Sequence, residues 1–122
     1  MGIYLIQLRM NEQLILFETA KLAKEKGFDE HCKHAFTNDG KFQYYEEDGF
    51  NSETYTTSPS QSLLQKWLRE VHAIHITMIY DDDNCYYTEI CDKNNSHVYR
   101  AIANNLFEDA LEITLQMALN LI

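Results

Sequence analysis

The hydrophobic period of the chain changes at residue 73, and this change sharply limits what the chain can fold into. Before it, Leu64, Trp67, Leu68 and Val71 recur at helical spacing, with Gln65, Lys66 and Arg69 on the opposite side. After it, Ile74, Ile76, Met78 and Tyr80 alternate with His75, Thr77 and Ile79, the period of a strand with one buried face. An amphipathic helix running straight into such a strand must fold back over it to hide both apolar surfaces. The start of this helix is read from Ser58, Pro59 and Gln61, an S-x-x-Q capping box with proline at the first helical position.

The remaining text supplies the partners. Residues 85–92 and 97–102 read as further strands, separated by the turn residues Asp81, Asp82, Asp83, Asn84 and then 93–96. Asn105 and Glu108 mark the N-terminus of a last helix presenting Phe107, Leu111, Thr114, Ala118 and Leu121. Residues 58–122 thus predict helix, three-stranded antiparallel meander, helix. Upstream, residues 11–26 predict a helix stopped by Gly27, with Phe28 as the apolar contact of a Schellman motif. Residues 32–37 and 41–45 predict a β-hairpin around Asn38, Asp39 and Gly40, and 46–57 a connecting loop. The expectation is one α+β domain over residues 1–122, with 1–10 as an N-terminal extension and Met10 as an alternative start.

Charge narrows the function classes. Ten basic residues stand against nineteen acidic ones, for a net charge of −9, and Lys and Arg are what displace counterions from a phosphate backbone. Nucleic acid is therefore not the expected partner. The early apolar stretch is broken by Gln7 and Arg9, too short for a signal h-region or a membrane span, so a cytoplasmic location and no membrane partner are expected. Cys32, Cys85 and Cys91 are an odd set in a chain whose apolar residues suffice for a core, and they read as reduced thiols.

Two stretches are familiar as text: residues 18–30, ETAKLAKEKGFDE, followed by Cys32, and residues 59–72, PSQSLLQKWLREVH. With the run from Phe107 to Glu112, they resemble a family of small uncharacterised proteins from gut bacteria and their phages. The resemblance implies a phage or mobile-element source and carries no activity with it. Residues 1–9 depart from the family pattern. The order of residues 58–122 also resembles that of double-stranded RNA-binding domains. Those domains place basic side chains at the start of the last helix, where this chain has Glu108, Asp109 and Glu112, and no binding of duplex RNA is expected.

Several groups invite chemistry, and each has a plainer explanation. His31, Cys32 and His34 cluster, and Cys85 and Cys91 share strand parity, but none has the C-x₂-C or H-x₃-H spacing of a zinc site. His72 and His75 flank the period change near Glu70, yet no nucleophile or oxyanion donor completes an acid–base pair. Asp81, Asp82 and Asp83 lack the alternation of a calcium loop and read as a solvated turn. Trp67, between Lys66 and Arg69, shares the apolar face and reads as core. No catalytic residue, metal or cofactor is expected.

What remains is surface. The second face of the meander carries His75, Thr77 and Ile79, and adjacent pairs Tyr44–Tyr45 and Tyr86–Tyr87 each offer one ring to each face; Tyr99 is read onto the same side. A sheet face with these residues needs a cover, which points to a non-enzymatic protein acting by protein–protein interaction, with an unidentified partner or a second copy as a homodimer. The alternative is a small-ligand or nucleotide-sequestering protein, its tyrosines stacking a base while Lys66 or Arg69 meets phosphate. A nucleic-acid-binding module of the RNA-binding order ranks third, and an enzyme last.

Overall fold

The computed structural model describes residues 13–49, 51–80, 85–92, 98–101 and 106–122, of which 45–49 and 98–101 are described by backbone alone. In chain order these are α1 (Phe17–Glu25), β1 (Cys32–Thr37), β2 (Phe42–Gly49), β3 (Tyr55–Thr57), α2 (Gln61–His72), β4 (Ile74–Tyr80), β5 (Tyr86–Asp92), β6 (Val98–Ala101) and α3 (Phe107–Leu119). The strands form two antiparallel sheets of order β2-β1-β3 and β4-β5-β6. The fold is α+β, in the expected order.

The stop of α1 follows the sequence closely. Gly27 adopts φ +100°, its N–H donates to Lys24 O and that of Phe28 donates to Ala23 O, the two bonds of a Schellman motif. Phe28 is thereby carried into the core, edge-on to Trp67 at 5.4 Å between ring centres. The start differs from the expected residue 11. The segment before Phe17 is extended: Leu14 bridges to Ser60, Ile15 donates to Pro59 O, and Gln61 donates to Gln13 O. Helix propensity in 13–16 loses to this short ladder.

The start of α2 also moves. Ser60, rather than Ser58, is the N-cap, its hydroxyl accepting from Leu63 N–H. Ser58 is buried, and among the described residues its Oγ has no hydrogen-bond partner. Gln61 becomes the first helical residue and is buried. Leu64, Trp67 and Leu68 face the core as expected, whereas Val71 is 60% exposed at the last turn, beyond the sheet's cover. His72 ends the helix with its ring edge-on to Trp67. Ala73 alone joins α2 to β4, in the left-handed region at φ 56°. That single residue turns the chain back over its own helix.

The stretch expected as a loop, 46–57, holds the end of β2 and all of β3. Short as it is, β3 is pinned by side chains: Asn51 accepts from Thr57 N–H and donates to Phe28 O, and Lys24 Nζ donates to the carbonyls of Ser52 and Tyr55. In the second sheet β4 pairs with β5 from Ile74↔Asp92 through Tyr80↔Tyr86, and β5 with β6 from Thr88↔Ala101 through Cys91↔Val98. The turns expected at 81–84 and 93–96 lie outside the described residues, as does Asn105; the N-cap of α3 is Leu106 rather than the expected Asn105, and it makes no side-chain cap bond.

One core serves both sheets: Phe28, Cys32 and Phe36 join Leu64, Trp67, Leu68, Ile74, Ile90, Leu111, Leu115 and Leu119. A fully buried leucine contributes about 1.5–3 kcal/mol, and Leu64, Leu68, Leu115 and Leu119 are completely buried. Glu112 was expected on the acidic surface of the last helix; it is instead 7% exposed. Its carboxylate accepts from Leu16 N–H and Thr19 Oγ1 of α1 and from Gln61 Nε2 of α2 at 3.0 Å. Gln61 Nε2 also donates to Glu108 O, and Gln116 Nε2 donates to Thr19 Oγ1. The α1 N-cap, Leu16, has no side chain to offer, so Glu112 fills that place from another helix.

Glu112→Ala would leave these buried donors unanswered and should lower unfolding free energy by about 2–4 kcal/mol. Glu112→Gln keeps the shape but turns an amide N–H₂ toward a donor, and should lose about half as much. Urea denaturation reads both, and an alanine variant as stable as the parent would dismiss the network as incidental.

Candidate interaction surface

Alternation along β4 and its register with β5 determine which residues share a side. Ile74, Ile76 and Met78, with Thr88 and Ile90 of β5, face the layer formed by α2 and α3. Across that interface the Thr114 and Thr88 hydroxyls pair at 2.5 Å. The other side of the sheet carries three cross-strand rows: His75 opposite Cys91, Thr77 opposite Glu89, and Ile79 opposite Tyr87. His75, Thr77, Ile79 and Cys91 are exposed, while Glu89 and Tyr87 are half-buried. Ile79 is 38% exposed although it lies in a paired strand.

The ten residues expected to form one surface fall in separate places. His75, Thr77, Ile79 and Tyr87 belong to the open side of the second sheet. Tyr86 does not: it stands opposite Tyr80 and packs edge-on against Phe107 of α3, at 5.4 Å, on the helix side. Tyr99 is in register with Ile90, a position of the covered side, which corrects its expected place. Lys66 and Arg69 are exposed on α2, so the sheet itself separates them from Tyr87. Tyr44 belongs to the other sheet, and Tyr45 beside it in β2 is described by backbone alone. The tyrosines and cations of a nucleotide site therefore do not converge.

Tyr44 takes part in a different arrangement. The register His34↔Tyr44 and Phe36↔Phe42 brings four rings to one face of the first sheet. His34 stacks on Phe42 at 5.0 Å and 12°, and Tyr44 tilts against His34 at 5.2 Å. Phe42 and Tyr44 are largely exposed. This engagement also accounts for His34, which was grouped with His31 and Cys32 in the sequence. Cys32 is buried with its Sγ near Glu30 O, and His31 is exposed, so the three do not converge. Among the described residues no group of three or more His, Cys, Asp or Glu side chains gathers as a metal site.

Cys91 and Glu89 were missing from the expected surface. The sequence did not supply the register: a turn over 81–84 would pair Tyr80 with Cys85, whereas the structure pairs Tyr80 with Tyr86, and that one-residue shift sets Cys91 opposite His75. Sequence reasoning linked Cys91 to Cys85 instead. No family model, curated protein or solved structure matches the chain. Among the described residues no helix is long and apolar enough to cross a membrane.

The three thiols occupy three environments: Cys32 buried, Cys85 intermediate, Cys91 exposed. In dilute, metal-free buffer a chromogenic aromatic disulfide should react first with one thiol per chain, then with a second, and with the third only on unfolding. Cys91→Ser should remove the first phase alone; a fast phase that survives this substitution would contradict the placement of β5.

Proposed function

We propose that this protein is a non-enzymatic interaction protein, an accessory factor of a phage or mobile element, that works by pairing its open sheet face with a second copy of the chain. The observation that carries the reading is the contrast between the two faces of β4-β5-β6. One lies under α2 and α3 with Ile76, Met78 and Ile90 packed into the core, and the other leaves Ile79, Thr77 and His75 exposed. Antiparallel sheets tolerate one wet face when it is polar, and an exposed isoleucine beside a half-buried tyrosine is better covered.

Charge favours a copy of itself as the occupant. The chain as a whole is strongly acidic, yet the described side chains of this face include one carboxylate, Glu89, beside His75, Thr77, Ile79, Tyr87 and Cys91. With a single described carboxylate, this face opposes a second copy less than the net charge of the chain alone would suggest. A two-fold axis through the sheet would set the same rows against each other.

The ring stack of His34, Phe42 and Tyr44 favours a second reading, the binding of a flat aromatic ligand to the first sheet. A thermal-shift screen with nucleotides separates it: a raised melting temperature that is lost in Tyr44→Ala supports ligand binding. No shift with any nucleotide at millimolar concentration removes it.

For the main reading, size-exclusion chromatography with light scattering should give twice the monomer mass at micromolar concentration. Ile79→Asp should return the monomer mass while changing stability by no more than about 1 kcal/mol, as expected of a surface position. A parent chain that stays monomeric at all accessible concentrations would refute self-pairing.

A further inference from the structure

The open face brings an imidazole and a thiol, two metal-binding side chains, into one cross-strand row. His75 on β4 and Cys91 on β5 are directly opposite each other in the antiparallel ladder, and both are exposed on the same side. Such cross-strand neighbours have Cβ atoms about 4.5–5.5 Å apart, close enough for an imidazole nitrogen and a thiolate sulfur to meet on one ion at about 2.0–2.3 Å. Neither side chain hydrogen-bonds to another described residue, whereas His34 and His72 are held in ring contacts and Cys32 is buried. Thiolate and imidazole together select zinc over magnesium or calcium, which prefer oxygen.

Two ligands do not make a structural zinc site, which takes four in a tetrahedron. Among the described residues of a single copy there is no third, since no larger His, Cys, Asp or Glu group gathers there. A two-fold related copy docked on the same face presents the same two ligands again.

We infer that His75 and Cys91 of two copies together form a Cys₂His₂ zinc site on the two-fold axis of a homodimer paired through the open faces of β4-β5-β6. The inference rests on the self-pairing reading above and adds the ion that joins the copies. Each Cys91 thiol gives up its proton to solvent on binding and each His75 binds through a neutral ring nitrogen, so two protons are released per zinc at a pH where the imidazoles are already neutral. Zinc then adds its binding free energy to that of the apolar contact, and dimer formation becomes metal-dependent.

The test uses the full chain. Light scattering after gel filtration is run in chelator and with added zinc, zinc is counted per chain, and cobalt replaces zinc to show thiolate coordination by its absorption. The expected result is a dimer shifted to at least tenfold lower concentration by zinc, one zinc per two chains, and a tetrahedral cobalt spectrum with sulfur-to-metal charge transfer. Cys91→Ser and His75→Ala should each abolish the zinc response while circular dichroism stays that of the parent, and Cys85→Ser should retain it. A dimer that forms equally in chelator, with no cobalt–thiolate absorption, overturns the zinc site and leaves self-pairing intact. A monomer in both conditions overturns both, and zinc binding that persists in Cys91→Ser overturns this assignment of ligands.

Discussion

The buried carboxylate of Glu112 is the constraint on which the arrangement of the helices depends. A carboxylate removed from water is strongly penalised unless its oxygens are fully engaged, and here each oxygen has a donor from a different helix. Leu16 N–H and Thr19 come from the first turn of α1, where the aligned peptide dipoles favour negative charge. Gln61 comes from the first turn of α2 and uses its second amide proton on Glu108 O. The helices can satisfy this set in one relative placement. Apolar contact among Leu64, Leu68, Leu115 and Leu119 supplies most of the free energy, but it is non-directional and accepts many packings.

From that placement the two faces of the second sheet acquire different fates. With α3 held beside α2, both helices lie on the side of Ile76, Met78 and Ile90, and Thr88 finds Thr114 there. Ala73, in a backbone region that an L-residue enters at some cost, leaves no slack between α2 and β4. The strand cannot rotate to share its outer residues with the core. The exposure of Ile79 and Cys91 thus follows from the way the helices are tied.

Features that depend on local periodicity were legible in the sequence: the α2-to-β4 change of period, the alternation in β4, the glycine stop of α1, and Trp67 as core. Features that depend on distant partners were not. The start of α1 is decided by backbone pairing with residues 59–61, and β3 exists because Asn51 and Lys24 hold it. Glu112, beside Glu108 and Asp109 in the text, looks like one more surface acid, and nothing nearby announces that Thr19 and Gln61 will reach it. For the surface, parity correctly grouped His75, Thr77 and Ile79. It could not say that Tyr44 belongs to another sheet, that Lys66 and Arg69 lie across the helix layer, or that Cys91 completes the first row. Those are matters of register and layer, which a strand's own residues do not encode.

The second sheet has an edge as well as a face, and the two compete as routes to association. An unpaired edge strand is a template for another chain, and natural sheets blunt it with side chains or cover. Here β4 is an edge strand, and Gln65 reaches from α2 to donate its amide to the Ile76 carbonyl at 3.2 Å. A strand added along β4 would have to contend with that side chain and with the helix bearing it. Approach onto the face meets no such obstruction among the described residues, since α2 and α3 lie on the other side. The same helix that buries the inner rows therefore guards the β4 edge. On the proposed self-pairing, a two-fold axis through the plane of His75, Thr77 and Ile79 would place like rows together and close the assembly at two copies, where pairing along an edge would extend a ladder without limit.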